Sequence, residues 1–451
     1  MPPKFGTSGL RGLVTELTPT LVADHVQAFT ASCPVGTGLY VGRDLRPSSP
    51  DIAQMVMDAA RAVGVPVVDC GDVPTPALAL ASMGAGAAAV MITGSHIPAD
   101  RNGLKFYVPN GEVSKAHEQA ILGELGKDRV YSTADVQIDT TAAAAYVARY
   151  VDAFGGEALG GRTVGVYSHS TVGRDILVDV LRGCGAKVVE LGRSATFIPV
   201  DTEAVDPDTR IQLKAWAKEH TLDAIMSMDG DGDRPLLTDA AGTVIPGDVL
   251  GQITGSWLGA EVAVTPVSSN TGAEAQFAQV RRTRIGSPYV IAGMEEVGGN
   301  VVGYEANGGF LLGFAAKGLS PLMTRDSVLP LLVPLLAAKG QGLADLVASG
   351  PARFTAADRL QEVPTERSLA LVADLRGDAG KRAAFLAGFG SDAVTIDETD
   401  GLRMTLADGR IVHLRPSGNA PELRFYADAA SVAEAEKTLV LGLDLLRKSL
   451  I

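Results

Sequence analysis

Three times along this chain an apolar run is followed by a serine-rich turn, an amphipathic stretch and a second apolar run. No other feature constrains the fold as tightly. The first set is GLYVGRD, SSPDIAQMVMDAARAVG and VPVVDCG; the second is RTVGVYSHS, GRDILVDVLRGCG and AKVVELG. The third runs from EVAVTPVSSN through TGAEAQFAQV to PYVIAGM. In the first amphipathic stretch Ile52, Met55, Val56, Ala59, Ala60 and Val63 share one helical face, opened by serine and closed by glycine. Each set reads as strand, turn, helix and return strand, which places PYVIAGM in a strand. Such a unit requires parallel pairing and a right-handed crossover. The expected class is α/β, with three similar α/β domains on mixed sheets.

Beyond residue 352 the texture changes. A charged stretch leads into DGLRMTLADGRIVHLRPSG, whose alternation and turns predict antiparallel strands. SVAEAEKTLVLGLDLLRKSL predicts a closing amphipathic helix with Val432, Ala435, Leu439, Leu443 and Leu446 near one face. This predicts a smaller C-terminal α+β domain, and the expected divisions are residues 1–140, 141–242, 243–352 and 353–451. At 451 residues, 46% hydrophobic and 20% charged, the chain can bury several cores.

Composition also narrows the function. Cys33, Cys70 and Cys184 share no metal-type spacing, which argues against a disulfide framework or a zinc site. The net charge of −13 argues against nonspecific nucleic-acid binding, although a local Arg/Lys cluster can still receive a small anion. No apolar run reaches the roughly 18–20 residues of a membrane span. The opening MPPKFGTSGLRG lacks the apolar core of a signal peptide, so a cytoplasmic location is expected.

Five loops carry residues suited to chemistry. In MITGSHIPADRNGLKFY, Ser95 and His96 follow an apolar strand on a turn broken by Gly94 and Pro98. A serine hydroxyl there can act as nucleophile or phosphoryl carrier; the plain alternative is a turn serine bonded to its own backbone. In MSMDGDGDRPLLTD, Asp229, Asp231 and Asp233 alternate with glycines that let the backbone curl around one hard cation. A calcium EF-hand is excluded, because its sixth and twelfth positions would fall on Arg234 and Ala240. Three clustered carboxylates need a cation or Arg234 to offset them.

In LRPSGNAPELRFY, Arg415, Ser417, Gly418 and Asn419 form a Pro/Gly turn able to cradle phosphate oxygens, or simply a hairpin turn. In VVGYEANGGFLLG, Glu305 and Asn307 can bond vicinal sugar hydroxyls, or cap a turn. In KFGTSGLRGLV, Thr7, Ser8 and Arg11 suit a phosphate, as do Arg43 and Arg46 of GRDLRPSS, unless these are surface charge. There is no P-loop, no G-x-S-x-G elbow and no dinucleotide fingerprint.

Taken in order, these loops resemble those of the α-D-phosphohexomutase superfamily over nearly the whole chain. FGTSGLRG is similar to its opening motif, TGSHIP to T-A-S-H-N-P, GYEANGG to the G-E-x-S-G loop and RPSGNAPELR to R-P-S-G-T-E-P; DGDGDR is its metal loop unchanged. The resemblance implies three α/β domains and a C-terminal domain around a central cleft. It implies Ser95 as the phosphoserine, with Asp229, Asp231 and Asp233 binding Mg²⁺ together with the Ser95 phosphate. It implies Lys105 as general acid/base with Arg11 and His96 beside it, and Arg234 near the transferred group. Glu305 and Asn307 would read the sugar. Arg415, Ser417, Gly418 and Asn419 would grip the distal phosphate, and RTRIGSPYV would face the substrate.

The implied activity interconverts hexose 1-phosphate and 6-phosphate through a hexose 1,6-bisphosphate, which also serves as activator. Mannose phosphate is the expected substrate, with glucose and glucosamine phosphates as alternatives. From other classes, the rivals are a noncatalytic sugar-phosphate-binding protein and a metal-dependent phosphatase. A monomer or weak homodimer fits equally. The chain departs from the family pattern at Gly94, Ile97, Asn307, Asn419 and Ala420.

Overall fold

The structure, a computed structural model, describes residues 3–6, 9–417 and 421–450. The chain divides into two compact units, Met1–Glu261 with Gly286–Val347, and Val262–Ile285 with Ala348–Ile451.

The larger unit holds two mixed sheets and an antiparallel meander. In the first sheet Lys4–Phe5, Leu10–Leu13, Arg101–Val108, Ala88–Ile92, Leu39–Arg43, Val67–Asp72 and Val136–Ile138 lie side by side, with Gly111–Glu112 on Arg101–Val108. Leu39–Arg43 runs parallel to both Val67–Asp72 and Ala88–Ile92, as the first repeat requires. Ala88–Ile92 is buried at all five positions, the mark of an interior strand covered on both faces. Helices Pro19–Ser32 and Ser49–Arg61 contribute Phe29, Val56 and Ala60 to the same core as Leu39, Val90 and Phe106. The second sheet is ordered Lys187–Leu191, Thr163–Tyr167, Ala224–Met228, Pro235–Thr238 and Val244–Ile245. Its first three strands are parallel and its last two antiparallel. Val301–Tyr304, Phe310–Leu312 and Leu322–Asp326 form the meander.

In the smaller unit Val262–Pro266 pairs in parallel with Gln279–Thr283. Five antiparallel strands, from Phe354–Gln361 to Glu422–Ala429, pack with three helices around Leu402, Leu414, Leu423 and Phe425. Gly442 sits inside helix Val432–Ser449 because a Cβ there would lie 2.2 Å from Phe425 Cζ. The whole is an α/β chain with a C-terminal α+β region.

Two expectations need correction. TGAEAQFAQV is not a full helix: Thr271–Ala275 is a 3₁₀ turn, and the return strand is Gln279–Thr283. The run expected as that strand, PYVIAGM, lies in helix Ser287–Val297. Pro288 suits the first turn of a helix, and Val290, Ile291 and Met294 are buried at helical spacing. Arg281 and Arg282 disguise Gln279–Thr283 as a charged loop. The strand tolerates them because, among the described residues, it pairs only with Val262–Pro266, and its burial is broken by exposed positions. The second correction is Val432, which is 54% exposed; the buried face of its helix is carried by Ala435, Thr438, Gly442, Leu443 and Leu446.

Candidate active site

The site of the larger unit starts where Ala88–Ile92 ends. Thr93 closes the strand by donating its hydroxyl to Asp44 Oδ2 at 2.7 Å and accepting the Ser95 N–H at 2.7 Å. Ser95 then takes a left-handed conformation, φ +56°, which costs a non-glycine residue about 1 kcal/mol or more. Arg46 holds it there. Its guanidinium donates to the carbonyls of Ser95 (2.8 Å), Ile97 (2.7 Å), Pro98 (2.8 Å) and Arg101 (3.2 Å), and to Asp44 Oδ2 (3.1 Å). The Phe197 ring covers it at 4.1 Å. Gly94 is required by this packing: a Cβ there would lie 2.7 Å from Arg46 Cζ.

Arg46 is therefore engaged by backbone and is not a phosphate ligand in this structure. Arg43 forms surface ion pairs with Asp69 and Asp72. Ser95 itself is fully buried, not exposed as its loop position suggests, and its hydroxyl donates to Asp229 Oδ2 at 2.6 Å.

Asp229, Asp231 and Asp233 offer oxygens that all lie within 4.8 Å of one another, and all three residues are fully buried. The Asp229 Oδ1 accepts the N–H groups of Asp233 and Arg234, both at 3.2 Å. Asp231 Oδ2 accepts from Thr75 Oγ1 (2.6 Å) and Lys105 Nζ (2.5 Å), and Asp233 Oδ2 from Lys105 Nζ (2.7 Å). Asp231 Oδ1 and Asp233 Oδ1 are buried with no hydrogen-bond partner. Two buried anionic oxygens without a hydrogen-bond donor fit a hard divalent cation, whose ligands are carboxylate oxygens.

The protonation pattern agrees. Burial, then the charges of Asp231 and Asp233, push Asp229 well above the usual carboxylate range. For Asp231, burial pushes upward but Lys105 outweighs it, and the net shift is down. For Asp233, burial is likewise outweighed, chiefly by Arg325. Three carboxylates this close repel one another, Asp229 carries the upward shift, and a cation would relieve it.

His96 lies beside Ser95, with Nδ1 3.3 Å from Oγ. Arg234 Nη1 approaches the same Nδ1 at 2.9 Å, and since arginine only donates, Nδ1 accepts and Nε2 carries the proton. Burial, then the Arg234 charge, lowers His96 to about 4, so the ring is neutral at pH 7. Arg11 lies on Leu10–Leu13 opposite Gly103 of the Lys105 strand, and burial, then Arg234, lowers it to about 10. Its charge is felt by Asp231 and Asp233. Glu305 is 4% exposed, and Arg325 Nη1 is 3.5 Å from its Oε2. Asn307 uses its side-chain oxygen to accept Gly309 N–H at 3.0 Å, so part of its capacity closes its own turn.

The larger unit thus brings together Ser95, His96, Lys105, Arg11, Arg234, Glu305 and the three aspartates. In the smaller unit Arg415 Nε donates to Asp400 Oδ2 at 2.8 Å, and Ser417 is buried. Gly418 and Asn419 lie outside the described residues, as do Thr7 and Ser8. Sequence reasoning missed Thr75, Asp44 and Arg325, whose partners are remote in the chain.

Comparison with known proteins points one way. Three family models match in chain order: phosphoglucomutase/phosphomannomutase alpha/beta/alpha domain I over residues 2–132, domain III over 239–354 and the C-terminal domain over 360–440. A phosphomannomutase of Sinorhizobium fredii is 46% identical, with all of both chains covered. A phosphomannomutase of Salmonella muenchen is 42% identical over 96% of this chain and 93% of that one. In fold, the chain resembles a phosphoglucomutase/phosphomannomutase family protein from Burkholderia thailandensis, with TM-score 0.81 at 21% identity over 98% and 96% of the two chains. Full-length identity at this level, with the family models matched in order, leads to one conclusion: this chain belongs to the phosphoglucomutase/phosphomannomutase family.

Proposed function

We propose that this protein is a phosphohexomutase that interconverts mannose 1-phosphate and mannose 6-phosphate, with Ser95 as phosphoryl carrier. The observation that carries the reading is the Ser95 hydroxyl, 2.6 Å from Asp229 beside three buried carboxylates. A serine so placed can hold a phosphoryl group against a cation. Asp229, Asp231 and Asp233, with the phosphoserine, would bind Mg²⁺, which when present neutralises charge on the transferring group.

The remaining roles fall to the chain's own side chains. Phosphorylated Ser95 gives its phosphoryl group to the sugar's free hydroxyl, forming a hexose 1,6-bisphosphate. Lys105, in its neutral amine form, takes the hydroxyl proton, and neutral His96 and the Arg234 guanidinium border the Ser95 oxygen. The bisphosphate turns end over end, and Ser95 takes back the other phosphoryl group. Glu305 reads vicinal sugar hydroxyls. Arg415, Ser417, Gly418 and Asn419 grip whichever phosphate is not reacting. The four-part division at 1–140, 141–242, 243–352 and 353–451 would assign one loop to each part. The names of the relatives at 46% and 42% identity support mannose over glucose or glucosamine, and a monomer or weak homodimer in the cytoplasm fits this role.

The test is kcat/KM for mannose 1-phosphate, glucose 1-phosphate and glucosamine 1-phosphate, with Mg²⁺ and a trace of hexose 1,6-bisphosphate. Sugar 6-phosphate and free phosphate are both followed. The expected result is 6-phosphate without phosphate release, fastest for mannose. Phosphate release alone, or no turnover of any sugar, would overturn the reading.

A further inference from the structure

Arg325 lies at the end of strand Leu322–Asp326, with its side chain only 5% exposed. Its Nη2 is 2.8 Å from Asp233 Oδ2 and its Nη1 is 3.5 Å from Glu305 Oε2. The closer approach is ionic but not aligned as a hydrogen bond, because neither Nη2 nor Nε has an acceptor and both are buried. Among the described residues, no other arginine has two such nitrogens. Arg46, equally buried, engages all three of its nitrogens.

Nε and Nη2 are the side-on edge of a guanidinium, which grips oxyanions two-pronged. Elsewhere in this protein the same edge does so. Arg282 holds Glu274 at 3.1, 2.7 and 2.9 Å, and Arg410 holds Asp408 at 3.0 and 2.6 Å. On Arg325 the Nη2 end of that edge meets Asp233 only as a misaligned ion pair, and Nε has no hydrogen-bond acceptor.

The surrounding structure keeps the side chain in place. Asp326, the next residue, accepts from Tyr146 Oη at 2.6 Å, from Tyr150 Oη and from Val328 N–H at 2.9 Å. Ser327 Oγ donates to the Gly232 carbonyl of the aspartate loop at 2.6 Å. Gly309 leaves room for the stem, since a Cβ there would lie 2.6 Å from Arg325 Cδ. A charged donor pair buried without an aligned acceptor is costly. A rigid frame that keeps it so implies an acceptor that comes and goes.

We propose that Arg325 is a catalytic residue whose Nε and Nη2 hold two oxygens of the phosphoryl group in transit between Ser95 and the sugar. This rests on the mutase reading. In that step the P–O bond to Ser95 breaks and the P–O bond to the sugar hydroxyl forms. The hydroxyl proton passes to the neutral amine form of Lys105, the bonding pair stays on Ser95 Oγ, which takes up one proton as it leaves, and Arg325 stays protonated throughout. A phosphoryl group fits better than a sugar hydroxyl because that edge offers two parallel donors. It also lies against Asp233, one of the three carboxylates beside Ser95.

The test uses the full-length enzyme with Mg²⁺. Arg325→Lys keeps the charge opposite Asp233 and Glu305 but lacks the two-pronged edge. Gly309→Ala keeps the arginine and displaces its stem. Three quantities are measured: kcat and KM for the preferred hexose 1-phosphate, the rate at which hexose 1,6-bisphosphate phosphorylates Ser95 (followed by intact mass), and Mg²⁺ affinity by calorimetry. The expected result for Arg325→Lys is a loss of about 100-fold or more in kcat and in the phosphorylation rate, as for removal of an oxyanion donor. KM and Mg²⁺ affinity should stay within about threefold, and Gly309→Ala should show the same pattern more weakly.

Near-normal kcat in Arg325→Lys would overturn the proposal. So would a loss confined to KM, which would mark a sugar contact, or one reversed by excess Mg²⁺, which would mark a counter-ion for Asp233. Should Arg325→Lys fail to fold, Gly309→Ala decides by the same criteria. A wild-type enzyme that forms no 6-phosphate would defeat the mutase reading itself, an outcome separate from any of these.

Discussion

At the scale of single residues, the site is held by groups with no freedom to spare. Ser95 is buried and left-handed, so its hydroxyl faces one way, toward Asp229. Ser95→Ala is expected to abolish turnover and covalent phosphate incorporation while leaving the far-UV circular dichroism unchanged. Incorporation of phosphate elsewhere on the chain in that variant would reject Ser95 as the carrier. Gly94→Ala should behave differently. Its new Cβ would meet Arg46 Cζ at 2.7 Å, and overpacking a dense site costs about 1–3 kcal/mol. We expect a lower melting temperature together with slower Ser95 phosphorylation, because the residue displaced is the one that holds the Ser95 carbonyl. A melting temperature equal to wild type would show that Arg46 can yield.

Between elements, the segment 201–204 joins two loops that the chain separates widely. Thr202 Oγ1 donates to the Asn307 carbonyl at 3.0 Å, and Asp201 Oδ2 lies 3.9 Å from His96 Nε2. Thr202→Val keeps the shape and removes the donor, a loss of about 1 kcal/mol. If Glu305 and Asn307 bind sugar, KM for the hexose phosphate should rise roughly fivefold with kcat little changed, and Thr202→Ser should restore it. Unchanged KM would mean that this loop keeps its position without the bond.

For the molecule as a whole, two buried histidines away from the aspartate cluster contribute to the response to acid. Burial lowers His169, whose Nε2 lies 2.8 Å from the Met228 carbonyl, and His413, whose Nε2 lies 2.6 Å from the Asp400 carbonyl, each to about 4. Both are neutral in the folded protein, whereas in the unfolded chain each titrates near 6.5. Between those values the unfolded chain binds more protons, so stability rises with pH through the window and is lost as pH falls from about 6.5 toward 4. Each histidine accounts for at most about 3 kcal/mol of that loss. Urea denaturation at pH 7 and pH 5 should show the drop, and His413→Phe should flatten it even if the variant is less stable at pH 7. An unchanged slope would mean that His413 charges within the fold.

What the sequence by itself determined is what lies close together along the chain. The strand–turn–helix units follow from periodicity over ten to fifteen residues. Ser95 and His96 are adjacent, and the three aspartates fall within five residues, so their chemistry is legible from the sequence alone. The failure at PYVIAGM has the same origin: a short apolar run satisfies helix and strand alike, and burial at helical spacing decided between them. Only tertiary structure decided the rest. By residue type Arg46 suits a phosphate, but its donors meet carbonyls about fifty residues away. Arg325 has no signature in the sequence, because its meaning lies in Asp233, in Glu305 and in the room left by Gly309. A side chain's donors and acceptors are written in the sequence; which of them are left open in a dry interior is set by packing among residues far apart in the chain.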